Sequence, residues 1–144
     1  MADDLMFLTD DYKSSKGKKP ATSGNPVTPI VALLMRSIHD SHITHLMQPT
    51  PTYARHLAHE LYYDGAIEDL VDELQEVSMG IYPESNIQVQ GSSKIEDSPA
   101  YFQNLYDQIE QLRKPIKETF IQNIIDECQA EIAHTLYRFK YITT

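Results

Sequence analysis

Residues 52–80, TYARHLAHELYYDGAIEDLVDELQEVSMG, constrain the fold of this chain more than any other stretch. Leu57, Leu61, Ile67, Leu70 or Val71, Leu74 and Val77 recur at the spacing of one buried helical stripe, which predicts a single long amphipathic helix over 53–79. Thr52 is placed to cap its start and Gly80 to stop it. The polar residues are not confined to the opposite face. Glu60 and Asp64 fall on the same i, i+3, i+4 series as Leu57, Ile67, Val71 and Leu74, so they lie on or beside the stripe. His56, His59 and Glu60 crowd the first turns, and Asp69, Asp72, Glu73 and Glu76 crowd the last. A helix that gathers imidazoles and carboxylates is a candidate metal-binding helix.

Around this stretch the chain reads as one all-α domain with a single core, which its 144 residues suit. No apolar run approaches the roughly 18 residues of a membrane span. The opening MADDLMFLTDDYKSSKGKKP lacks the pattern of a secretory signal. A single cysteine, Cys128, excludes an intramolecular disulfide and fits a reducing compartment, so the expected location is cytoplasmic. The formal charge of −9 argues against a body that grips nucleic acid electrostatically.

Residues 1–27 read as an extended arm, either a solvated tail or a segment docked on a partner. Asp3, Asp4, Asp10 and Asp11 precede Lys13, Lys16, Lys18 and Lys19, with an apolar group, Leu5 to Leu8, between the first acids and the lysines. A first helix over 29–47 opens at Thr28-Pro29. Its expected inner stripe is Val31, Leu34 or Met35, Ile38, His42, and His45 or Leu46, with His39, His42 and His45 drifting round one side. Gln48-Pro49-Thr50-Pro51 ends that helix. So short a connection implies antiparallel neighbours, which brings His42 and His45 toward His56, His59 and Glu60.

After Gly80 comes a long polar connection in which Ile87-Gln88-Val89 is either one strand or a crossing segment. A third helix over 99–113 opens at Ser98-Pro99, with Phe102, Leu105, Ile109 and Leu112 inward. Thr119 and Gln122 have the spacing of a capping box for a fourth helix over 120–141. Its stripe is Ile121 or Ile124, Ile125, Cys128, Ile132, Leu136 and Phe139. The expected architecture is an antiparallel four-helix bundle with one long crossover between its second and third helices, the connectivity of ferritin-like folds.

Two metal arrangements are open. Glu131 and His134 form an E-x-x-H on one helical face, the motif that dinuclear carboxylate sites use twice. Here it occurs once, and the first helix offers no glutamate, so a dinuclear centre within one chain is under-supplied. The other arrangement lies between subunits, where His45 and His56 meet the acidic end of a neighbour's second helix. Asp69, Asp72 and Glu76 share a stripe with Ala58, Tyr62 and Gly65, which is either a solvated acidic face or the seam of a two-fold dimer. No nucleotide loop, hydrolase elbow or Cys/His zinc spacing occurs.

The run from His45 through TYARH to His56, then ELYYDG, DLVDELQEV and Met79-Gly80, resembles the first half of Dps-type mini-ferritins. It is more closely similar to ferritin-like proteins of tailed bacteriophages, whose last helix the stretch TFIQNIIDECQAEIAHTLYRF, 119–139, also resembles. The resemblance covers about residues 28–141. It implies His45 and His56 as ligands from one subunit, with Asp69 or Asp72 and Glu73 or Glu76 from its two-fold mate. It also implies oxidation of ferrous iron by peroxide or oxygen and storage of ferric mineral in a shell. Leu46 stands where those proteins carry tryptophan, and the spacing between the histidines is slightly shorter.

The expectation is therefore a phage-encoded ferritin-like protein, at least dimeric, located in the infected cell or the virion. Its candidate metal ligands are His45, His56, Glu60, Asp69, Asp72, Glu76, Glu131 and His134, and its metal is iron, with zinc or manganese as alternatives. The competing expectation is a metal-free structural or interaction protein that contacts other phage proteins through residues 1–27.

Overall fold

The computed structural model describes residues 24–47, 52–82 and 87–142. Most of the expected arm and the whole Gln48-to-Pro51 connection lie outside these residues. The described elements are α1 (Thr28–Met47), α2 (Tyr53–Tyr63), α3 (Ala66–Met79), α4 (Ser98–Leu112), α5 (Thr119–Tyr137) and a closing π-helical turn, Arg138–Ile142. Among the described residues there is no strand, so Ile87 to Val89 form a crossing segment. The protein is all-α. Helix α5 packs against α2, α3 and α4, and α1 packs against α2, α3 and α4.

Residues 53–79 form two helices, not the single helix expected. Asp64 closes α2 with its N–H on Glu60 O, and Gly65 adopts an extended backbone, φ −103° and ψ −155°. A Cβ on Gly65 would lie 2.3 Å from Leu61 O, so only glycine lets the chain pass there. The break also changes which face is buried. Before it, Ala58, His59 and Tyr62 are inside. After it, Ile67, Val71, Leu74 and Ser78 are inside. The stripe that joins Ala58, Tyr62, Gly65, Asp69, Asp72 and Glu76 on paper therefore starts in the core and ends in solvent, and it is no continuous seam. Leu61, expected in the core, is 44% exposed. The outer ends are as expected: Thr52 Oγ1 accepts from Arg55 N at 3.2 Å, and α3 stops at Gly80.

Helix α1 also departs from its expected stripe. Ile30, Val31 and Leu34 are buried, but the inward face then continues as Ser37, Asp40, Ser41 and Thr44, while His42 is exposed and Leu46 is 69% exposed. These polar groups are buried because each has a partner. Ser37 Oγ meets the hydroxyl of buried Tyr62 at 2.6 Å. Asp40 accepts from Ser93 N at 2.9 Å and from Tyr101 OH at 2.7 Å, with Arg36 Nε 3.4 Å away. Thr44 Oγ1 accepts from Ile95 N at 2.7 Å. The crossover is thus strapped along α1 by two of that helix's own side chains. At the other end of α1, Asn25 Nδ2 donates to Ser78 Oγ at 2.9 Å and Val27 is fully buried, so the chain entering α1 is tied to the end of α3.

Helices α4 and α5 supply the rest of the core. Phe102, Leu105 and Ile109 face Ile121, Ile124, Ile125, Cys128 and Ile132 within one apolar cluster. Asp97 caps α4, its side chain accepting from Ala100 N. The expected capping box on α5 does not form. Glu118 is the N-cap residue, and Gln122 turns away to accept from Arg113 Nε at 2.6 Å and donate to the carbonyls of Arg113 and Ile116. Arg113 also reaches Asp126 at 2.7 Å, and a charged hub of this kind outcompetes a local cap for the amide. Burial pushes the Cys128 thiol up to about 12, helped by Glu127, Glu73 and Glu131, so it acts as a small core residue.

Candidate metal centre

His45 lies in the last turn of α1 and His56 in the first turns of α2, and the packing of these helices sets the two rings together. Their centroids are 3.6 Å apart with 29° between planes. His45 Nδ1 lies 3.2 Å from the backbone carbonyl of His56. A carbonyl can only accept, so Nδ1 carries the proton and the neutral ring keeps its lone pair on Nε2. This is how a supporting contact orients a metal-ligating imidazole. Tyr63 presents its edge to His45 at 5.3 Å and stacks on His42 at 4.4 Å, which further fixes the corner.

Glu60 follows His56 by one helical turn on the same face. One ligand atom from each of His45, His56 and Glu60 lies within 4.8 Å of the other two. Among the described residues this is the one such group of three. His56 Nδ1 is buried and has no hydrogen-bond partner among them. A buried ring nitrogen left open is costly unless something coordinates it. Two imidazoles and a carboxylate suit ferrous iron, manganese or zinc, and three protein ligands leave coordination positions free for other groups. The residues present therefore fit a divalent transition metal.

His59, grouped in sequence with these candidates, has a different role. It is fully buried, with Nδ1 2.8 Å from Ser41 Oγ and Nε2 3.2 Å from Ser98 Oγ, and its ring packs on Phe139. Burial depresses its pKa to about 4, with His45, Arg55 and His56 adding to the effect. It is a neutral pin joining α1, α2 and the start of α4.

The remaining candidates stand apart from this group within one chain. Asp69, Asp72, Glu73 and Glu76 are exposed on α3. Glu131 is half-buried and His134 exposed on α5, and neither joins a three-ligand cluster. The sequence gave no signal for the carbonyl that holds His45 or for Tyr63 beside it.

No curated protein matches this chain, and no solved structure does. Residues 45–139, a stretch that contains His45, His56 and Glu60, match a described family. The chain belongs to that family, the family of unknown function DUF5856.

Proposed function

We propose that this protein is an oligomeric ferritin-like bundle that binds divalent metal at the α1–α2 corner and oxidises ferrous iron as its substrate there. In this reading α2 and α3 together act as one broken helix of a four-helix bundle. His45 and His56 are imidazole ligands, Glu60 is a carboxylate ligand, and Asp72 and Glu76 from a second copy complete the set, with Asp69 as the alternative acid. The observation that carries the reading is the convergence of His45, His56 and Glu60 around a buried, unpartnered His56 Nδ1.

Support for a second copy comes from apolar groups beside the site. Tyr53, Leu57 and Leu61 recur along α2, and Tyr53 is 78% and Leu61 44% exposed. With Leu46 and Met47, also exposed, they offer an apolar surface next to a ligand set that one chain leaves open. The test is ferrous iron added without oxygen, followed by peroxide or oxygen, with ferric product followed by absorbance. Oxidation well above the protein-free rate that disappears in a His45→Ala, His56→Ala double variant supports the reading. Equal rates with and without protein remove the ferroxidase activity.

A metal-free interaction protein, for instance a component of a tailed-phage particle, is the second reading. Exposed Tyr137, Tyr141 and Ile142 at the C-terminal turn favour it, because they form an apolar surface the metal chemistry does not use. It predicts stable assembly with no metal uptake.

A further inference from the structure

A cavity of about 300 Å³ lies between α1, α3 and the crossover, built from residues other than the three-ligand group. Val31, Ile38 and Val71 form its apolar wall, and Glu68, Asp72 and Gln75 of α3 supply its polar side. Val31 and Val71 are buried, so the cavity reaches down to the core. Glu68 and Asp72 stand one turn apart on the same helix, a like-charge pairing that a cation relieves. Gln75 Nε2 donates to Met79 Sδ, whereas its Oε1 is buried with no partner among the described residues.

This lining selects among ligand classes. The carboxylates repel anions. A neutral hydrocarbon leaves the buried amide oxygen unpaired, at the cost of an unsatisfied acceptor. A bare divalent ion has no three-ligand cluster here. What remains is a cation with several donors and a hydrocarbon body, and a primary ammonium carries three donors for the three acceptors present. We infer that this cavity binds a short aliphatic amine of the diamine class. Its ammonium donates to Gln75 Oε1 and to the carboxylates of Glu68 and Asp72, and its methylenes lie against Val31, Ile38 and Val71.

The experiment is calorimetric titration of the full chain with putrescine and n-butylamine, with n-butanol as the neutral control. Both amines bind saturably, and n-butanol binds at least about tenfold more weakly, the difference expected for lost charge-assisted hydrogen bonds. Gln75→Leu and Glu68→Gln each weaken amine binding by about tenfold while the unfolding midpoint stays close to wild type. Asp72 is left intact because the metal reading also uses it, and the His45→Ala, His56→Ala variant keeps amine binding. Absence of saturable binding up to about 10 mM overturns the inference, because at that limit any affinity is weaker than a few kcal/mol. So does amine binding that matches n-butanol, or that neither the Gln75 nor the Glu68 substitution weakens.

Discussion

His45 and His56 stack at a centroid separation of 3.6 Å while Nδ1 of the first donates to the backbone carbonyl of the second. One ring is thus oriented by the main chain of the other, and both are fixed before any ligand arrives. The arrangement leaves His56 Nδ1 buried without a partner, a local cost that coordination would remove.

That cost predicts opposite effects for one substitution. His56→Leu leaves the metal-free protein as stable as wild type or more so by about 1 kcal/mol, since it removes an unsatisfied polar atom. Wild type gains about 2.7 kcal/mol from Zn²⁺ at a hundred times its dissociation constant, and the variant gains none. Thermal melts with and without Zn²⁺ measure both.

Asp40 holds the crossover to α1. Asp40→Ala strands Ser93 N–H, the Tyr101 hydroxyl and the Arg36 guanidinium, and breaking such a buried charged set costs about 3–5 kcal/mol. Urea unfolding reads the loss. Hydrogen exchange then shows faster exchange at Ser93, with Ile95, held by Thr44, less affected.

Gly65→Ala places a Cβ against Leu61 O and destabilises the protein by about 1–3 kcal/mol. The clash lies at the α2–α3 junction, one turn beyond Glu60. Metal affinity in the folded fraction therefore changes less than stability does, which equilibrium unfolding and metal titration on one sample separate.

His59 gives the protein an acid-sensitive stability. Its pKa is about 4 when folded against 6.5 when unfolded, so the unfolded chain binds the extra proton between those values. Stability is whole above about pH 6.5 and falls as pH drops toward 4, by about 3 kcal/mol in total. His59→Gln flattens unfolding free energy across that window, and a slope unchanged in the variant assigns the acid sensitivity to other groups.

Much of the fold was legible because apolar periodicity is a direct record of burial. Phe102, Leu105 and Ile109, and Ile121, Ile125, Cys128 and Ile132, are inside as their spacing predicts. The same rule misses Ser37, Asp40, Ser41 and Thr44, because a polar residue is buried only when a distant partner exists and no local pattern encodes that partner. Ser93 and Tyr101 are more than fifty residues from Asp40. Gly65 was ambiguous for a related reason. A glycine in a helical pattern suits a close-packed seam or a break, and the contact with Leu61 O that decides it exists only in three dimensions. The His45–His56–Glu60 corner was legible because chain connectivity and helical spacing bring those residues together. The burial of His59 was not, since an imidazole one turn from two candidate ligands looks like a third.

Native mass spectrometry, before and after addition of ferrous iron without oxygen, tests the central claim most directly by reading assembly and metal content together. The account predicts a dimer or larger assembly that takes up iron in fixed proportion to its chains, with uptake lost in the His45→Ala, His56→Ala variant. No uptake in any assembly state, or uptake unchanged in that variant, contradicts it.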